Sequence, residues 1–298
     1  MNLIHASGTT GNYLNSVTDV LPDLSLHDDV RHHDYDRYLS ILFAPDNRRP
    51  GLLALLALNL ELARVRDRVR ELTLGQIRLA WWHETIEGIF EKRPRQHPVA
   101  QALADTVDRY SIPRLVLDSM IDARAMEFEE QGFPTLETLE QFAEQTSGAL
   151  HRVCLKVLGV EDPQTETVAG HVGTAWALVG LARSVPHHAG LGRVYLPLDA
   201  LSEVHLTVSD LLTLTPGARL KPVVESVLRR ASQHLKSARG LKSQVPHEAL
   251  PTLLPATLAN SYVGRLRRHD YDPFALSGEM NQTLRQLRLL WASLRRVY

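Results

Sequence analysis

Residues 173–199 read GTAWALVGLARSVPHHAGLGRVYLPLD, and this stretch decides the fold. Its first half completes a helix from His171 to Val185 that is apolar nearly all round, through Val172, Ala175, Trp176, Ala177, Leu178, Val179, Leu181 and Ala182. A helix with no polar face has no side to turn to water, so it belongs at the centre of its domain. Pro186 is expected to stop it. Gly190 to Pro197 then reads as a loop. A buried helix that delivers Arg183, Ser184, His187 and His188 into a glycine-rich loop suits the mouth of a cavity.

Outward from this strip, almost every segment repeats its apolar residues with helical spacing. Arg37, Tyr38, Ile41 and Leu42 start a helix that stops near Pro45, and Leu52–Arg70 form a second, with Leu55, Leu58, Leu62, Val65 and Val69 on one face. Thr73–Phe90 form a third, for which Thr73 and Gln76 suggest a capping box. Further helices are expected over His97–Tyr110, Pro113–Glu130, Thr135–Leu158, Val223–Leu241, His247–Arg268 and Ser277–Val297. Thr135 caps the helix that Gly159 ends. Asp162 or Pro163 opens the central one. No stretch alternates like a strand, and no internal repeat is evident. The expectation is one all-α domain over residues 33–298, preceded by a loose arm, 1–32, rich in Gly, Ser, Thr, Asn and Asp, with room for a turn of helix.

Composition narrows the function. The 33 Lys and Arg nearly balance the 34 Asp and Glu, so no global bias toward nucleic acid exists and none is expected as a partner. The single cysteine, Cys154, rules out an intrachain disulfide and a cysteine-rich zinc site, and its apolar neighbours place it in the core. No apolar run reaches transmembrane length. The absence of Lys and Arg before Arg31 argues against a secretory signal or an Arg-rich transit peptide.

The strip ends in Gly192-Arg193-Val194-Tyr195-Leu196-Pro197, preceded by Arg183. Upstream stand Asp36-Arg37-Tyr38, Leu42-Phe43-Ala44-Pro45, the Ala54–Asp67 helix, Arg78-Leu79 and Trp81-Trp82. In this order the motifs resemble the squalene/phytoene synthase family. The resemblance runs from about Asp34 to Asp199 and more weakly beyond. It implies an isoprenoid-synthase-type helical bundle around a central cavity. It also implies an activity: head-to-head joining of two prenyl diphosphates, with Mg²⁺ held by two aspartate motifs that face each other.

This chain departs from that pattern at the metal ligands. The first motif falls on Ala63-Arg64-Val65-Arg66-Asp67, where only Asp67 is acidic; the second falls on Ser184-Val185-Pro186-His187-His188, where no carboxylate remains. If Arg64 and Arg66 point inward, they repel Mg²⁺ and contact an anion directly. Imidazole suits zinc or iron better than magnesium, and adjacent helical residues diverge by about 100°, so His187 and His188 read as cavity lining. Candidate cavity or diphosphate-site positions are thus Asp67, Arg64, Arg183, Ser184, His187, His188, Arg193 and Tyr195, with none assigned as catalytic. Glu127, Glu129 and Glu130, after Asp122, read as a solvated helix face, although the family resemblance implies an acidic site residue near there. Trp81-Trp82 read as core. His32-His33 beside Asp34 and Asp36 form only a loose cluster.

Several stretches are similar to a branch of the family that assembles respiratory complex I: Asn59-x-Glu61-Leu62-Ala63-x-Val65, His97–Ala100, Val157–Val160, His171–Gly173 and Arg183–His188. That resemblance implies a non-catalytic protein with no cofactor, whose partner is a complex I subunit or assembly intermediate. It would work in the cytoplasm or on the inner membrane of a bacterium, or on the matrix side in a mitochondrion. A prenyltransferase with Asp67 as its one remaining Mg²⁺ ligand and an isoprenoid or lipid carrier are the alternatives. The last segment, 277–298, sets an apolar stripe (Leu284, Leu287, Leu290, Trp291, Leu294, Val297) beside Arg285, Arg288, Arg295 and Arg296. Such a helix either caps the bundle or lies on a membrane surface.

Overall fold

The computed structural model describes residues 26–69, 71–129, 132–214, 217–276, 278 and 280–298, and every regular element among them is a helix. α1 (Leu26–His33) and α2 (Tyr35–Ile41) lead into the long α3 (Arg49–Arg68). α4 (Leu72–Phe90), α5 (Pro98–Tyr110) and α6 (Arg114–Asp122) follow, and a 3-10 run, Ala123–Phe128, extends α6. α7 (Leu136–Ala143) and α8 (Ala149–Leu158) are joined by a π-helical turn, Glu144–Gly148. The central helix is α9 (Pro163–Arg183). Three short helices come next, α10 (Val185–Gly190), α11 (Leu198–Glu203) and α12 (Val208–Leu212). α13 (Lys221–Gly240), α14 (Leu250–Leu253), α15 (Pro255–Arg268) and α16 (Gln282–Leu294) complete the chain.

α9 is central because its composition leaves it no alternative. It packs on α7, α8, α10, α13, α14 and α15, and Val172, Ala175, Leu178, Val179 and Ala182 are fully buried. Its closest approach is to the π turn. A Cβ on Gly173 would overlap the Ser147 carbonyl oxygen and come within 2.8 Å of Gly148 Cα. One on Gly148 would lie 3.1 Å from Thr174 Oγ1. The two backbones therefore touch, which only glycine permits. The π turn places Thr146, Ser147 and Gly148 in the buried seam. A second strip of α9, Trp176, Ala177, Gly180 and Leu181, is only half-buried, and Gly180 faces open space. Deeper in the bundle, the gap lined by Arg37, Leu52, His151 and Thr252 closes to about 20 Å³.

Several expectations are corrected. The arm assigned to 1–32 lies outside the described residues up to residue 25, but Leu26 to His33 are helical and dock on α3. Thr73 does not cap α4, which begins at Leu72 after an uncapped Glu71, so no capping box forms there. The box at Thr135 does form, closed by Thr138. Pro186 does not stop the central helix; α9 ends at Arg183, and Pro186 sits in the first turn of α10, where its missing N–H costs nothing. The stripe on α16 does not cap the bundle. Leu284, Leu287, Leu290, Trp291 and Leu294 are exposed, and Arg285, Leu289 and Ala292 face inward.

Gly173→Ala is expected to lower unfolding free energy by about 2–3 kcal/mol, because a backbone carbonyl blocks the methyl. Gly180→Ala is expected to be neutral or to stabilise by roughly 0.5–1 kcal/mol, since it only removes helix-interior glycine. Urea unfolding of the two variants checks both. Equal effects would contradict the backbone contact.

Candidate functional site at the ends of the third and ninth helices

The family resemblance points to the C-terminal ends of α3 and α9, and the structure brings them together through Arg193. Gly192 takes φ +75, a left-handed turn that glycine adopts without strain. The turn closes α10, with the Arg193 N–H donating to the His188 carbonyl at 2.9 Å. It also sends the Arg193 guanidinium across to α3, where it pairs with the Asp67 carboxylate and donates to the Arg66 carbonyl. Arg193 is buried in this contact, its side chain 7% exposed.

Behind Arg193 lies a second layer. The Tyr195 hydroxyl donates to Glu127 Oε1 at 2.8 Å, and Arg124 donates to Glu127 Oε2 at 3.3 Å and to Asn59 Oδ1 at 3.2 Å. Arg66 Nε donates to the Glu127 carbonyl at 2.8 Å, and its guanidinium lies 5.0 Å from the Phe128 ring centre. Burial, reinforced by the Glu127 charge, raises the Tyr195 phenol well above its ordinary pKa, so it stays a donor. The His188 ring packs on Tyr195 at 4.5 Å between centroids. Its Nδ1 is buried without a hydrogen-bond partner, and burial, with His187 adding to it, pushes its pKa down to about 4. A cavity of about 110 Å³ remains between Arg66, Glu127, Phe133, Arg193 and Tyr195.

The donor set does not fit magnesium. A Mg²⁺–diphosphate cluster needs several open carboxylates. The positions in question hold Ala63, Ser184 and His188, and Asp67 is taken by Arg193. Glu127, the nearby buried carboxylate, is already held by Tyr195 and Arg124. Among the described residues no group of three or more His, Cys, Asp and Glu is placed to hold a metal ion.

Of the sequence candidates, Asp67, His188, Arg193 and Tyr195 come together, and His187 lies beside His188 but is exposed. Ser184 forms the half-buried joint between α9 and α10. Arg183 turns to Tyr262, 4.2 Å from its ring centre. Arg64 leaves the site altogether: it forks onto Asp29 of α1 with two bonds of 2.7 Å and reaches Glu61 at 3.2 Å. That ion pair holds Asp29 below the usual carboxylate range. Arg64 is thus spent on carboxylates of its own chain, while Arg66 stays at the site, in the lining of the 110 Å³ cavity.

Glu127 is not on a solvated face. Its side chain is 5% exposed, whereas Glu129 is exposed and Glu130 lies outside the described residues. The loose His32–Asp36 cluster disperses: His33 binds Asp29, Asp34 binds Arg37, and Asp36 is buried against Tyr262 and Arg285. Trp82 is core, and Trp81 is half-buried under Arg95. The pattern along the chain does not reveal Arg124, Asn59 and Glu127 as a unit. The acidic run at 127–130 is the one signal it offers, and the partners come from distant segments.

Comparison with known proteins gives the family and the fold. The squalene/phytoene synthase family model matches residues 30–294. A rat (Rattus norvegicus) protein named NADH dehydrogenase (ubiquinone) complex I, assembly factor 6 is 33% identical over 280 residues, covering 93% of this chain and 84% of its own. The human (Homo sapiens) protein of that name is 31% identical over 269 residues, covering 90% and 81%. The crystal structure of squalene synthase HpnC from Alicyclobacillus acidocaldarius superposes with a TM-score of 0.72 at 20% identity, covering 83% of this chain and 94% of that one.

Two buried neutral histidines make the fold acid-sensitive. Burial holds His151, whose ring nitrogens both lack partners, down to about 3, and His188 down to about 4, from 6.5. Below pH 6.5 the unfolded chain therefore binds protons that the folded chain refuses, so stability falls with pH. Between pH 7 and 5 the expected loss is on the order of 2 kcal/mol per histidine. Urea unfolding at the two pH values checks it, and His188→Gln is expected to reduce the difference by that histidine's share. An unchanged difference in that variant would refute the assignment.

Proposed function

Because this chain belongs to the squalene/phytoene synthase family, we propose that it is a non-catalytic member that acts in the assembly of respiratory complex I. The observation that carries this reading is the Arg193–Asp67 ion pair. Where ionisation of an allylic diphosphate demands Mg²⁺ between facing carboxylates, this chain sets an arginine against its one remaining motif aspartate. Removing that charge stabilisation costs several kcal/mol of barrier. The ion pair instead ties the end of α3 to the loop after α10 as a structural joint. The assembly-factor part rests on the rat and human relatives named for complex I assembly, which match this chain nearly end to end.

In this reading the protein binds a complex I subunit or assembly intermediate and requires no cofactor. Its place of work is the cytoplasm or inner-membrane face of a bacterium, or the matrix side of a mitochondrion. The prenyltransferase reading would require turnover through Asp67 after Arg193 is displaced.

Purified protein given Mg²⁺ and farnesyl or geranylgeranyl diphosphate is expected to form no squalene or phytoene. Turnover that disappears in Asp67→Ala would establish the enzyme instead. Deletion of the gene is expected to lower assembled complex I on native gels while carotenoid and hopanoid content stays unchanged. Normal complex I in the deletion strain would remove the assembly role.

A further inference from the structure

α16 is turned against its own composition. Its inward side carries Arg285, Leu289 and Ala292, and its outward side carries Leu284, Leu287, Leu290, Trp291 and Leu294. At ~100° per residue the five outward side chains fall within an arc of roughly 120°, opposite the inward three. A polar anchor holds the helix this way round. Arg285 donates to Asp36 Oδ1 at 2.9 Å, with both side chains almost fully buried, and stacks 5.0 Å from the Tyr35 ring centre. Asp36 also accepts from the Tyr262 hydroxyl at 2.6 Å. Rolling the helix over would strand a buried carboxylate, which is strongly unfavourable. The apolar arc therefore faces outward because the fold holds it there.

Scattered exposed leucines are ordinary; five large apolar residues on one helix face are not. Leu287 and Trp291 are each 58% exposed and Leu294 is 76% exposed. The charge around them has one sign. From Met280 to Tyr298 the chain has four arginines and no Asp or Glu. Arg285 is taken up inside, Arg288, half-buried and donating to Ser261 Oγ, and Arg295 at the C-cap follow one edge of the arc, and Arg296 comes next. Arg295 lies over Trp291, 4.7 Å from the ring centre. Along that edge, between α15 and α16, runs a groove of about 450 Å³ lined by Leu287, Trp291, Arg288 and Arg239. No described helix is long and apolar enough to cross a membrane.

We propose that the outward face of α16 docks on an anionic lipid bilayer, with the helix lying in the plane of the interface. Leu287, Trp291 and Leu294 enter the acyl boundary, where an amphipathic helix gains from burying its apolar arc. Arg288, Arg295 and Arg296 sit at the level of the phosphates, which guanidinium groups bind well. A second copy of this chain is a poorer occupant. It brings the same positive charge and no Asp or Glu after Met280 to offset it.

The test is flotation of the full-length protein with vesicles of phosphatidylcholine alone and of phosphatidylcholine mixed with phosphatidylglycerol. The protein is expected to float with the mixed vesicles and to stay behind with the neutral ones. Trp291 fluorescence is expected to shift to the blue and to be quenched by brominated lipid. The double variant Leu287→Glu, Leu294→Glu is expected to lose flotation while its circular dichroism and melting stay unchanged. Arg288→Gln, Arg295→Gln and Arg296→Gln are each expected to weaken partitioning about fivefold. Leu115→Glu, at an exposed site on α6, is expected to float like the wild type. Failure to float with mixed vesicles overturns the proposal, as does flotation that survives the double variant. A dimer that the double variant abolishes, without vesicle binding by the wild type, assigns the face to a second copy and also overturns it.

Discussion

The contact of Gly173 with the Ser147 backbone sets the depth at which α9 lies in the bundle. Its neighbours, α7, α8, α13 and α15 among them, pack against a rod whose position is fixed by backbone rather than by adjustable side chains. Interiors are close-packed, so a shift of α9 by one methyl group would be felt in every layer. The π turn and Gly148 and Gly170 belong to the same constraint. Each removes bulk where the crossing is tightest, and the slot at Gly170 is filled by the Arg152 guanidinium.

Around this rod, two polar joints fasten segments far apart in sequence. Asp67 and Arg193 join the end of α3 to the loop after α10, and Asp36 joins α2 to α15 and α16 through Tyr262 and Arg285. Arg193, Asp36 and Arg285 are buried charges, which are costly unless paired, so breaking either joint would strand one of them. The first joint also bears on function. In a synthase of this fold, carboxylates at the cavity mouth must stay open to metal. Here an arginine closes on the surviving one, and a buried Tyr195–Glu127–Arg124 layer backs it. The same architecture thus carries a mouth built as a joint. The second joint turns the apolar side of α16 outward, so a structural ion pair creates an exposed apolar face.

Much of the architecture is legible in the order of residues alone. The all-round apolar run at 172–182 places the central helix, because no polar face exists to expose. Thr135, Asp162 and Gly159 mark helix ends correctly, since capping and left-handed glycine are local chemistry. Thr73 misleads for a related reason: a capping pattern specifies a helix start only if the chain needs one there, and α4 begins a residue earlier. Pro186 resembles a stop, yet proline is also tolerated in a first turn, and α10 starts immediately after α9.

Residue identity and periodicity along the chain are enough to settle the fold class and the central helix. The destinations of the charged side chains are settled only by the folded arrangement. Arg64 turns to Asp29, Arg193 to Asp67, Glu127 inward to Tyr195, and Arg285 to Asp36. Long charged side chains have many rotamers and several carboxylates within reach. Which pair forms depends on distances set by helices that meet from opposite ends of the chain. The strip at 173–199 therefore announces the central helix and the loop after it, and the folded chain decides that Arg193 of that loop pairs with Asp67.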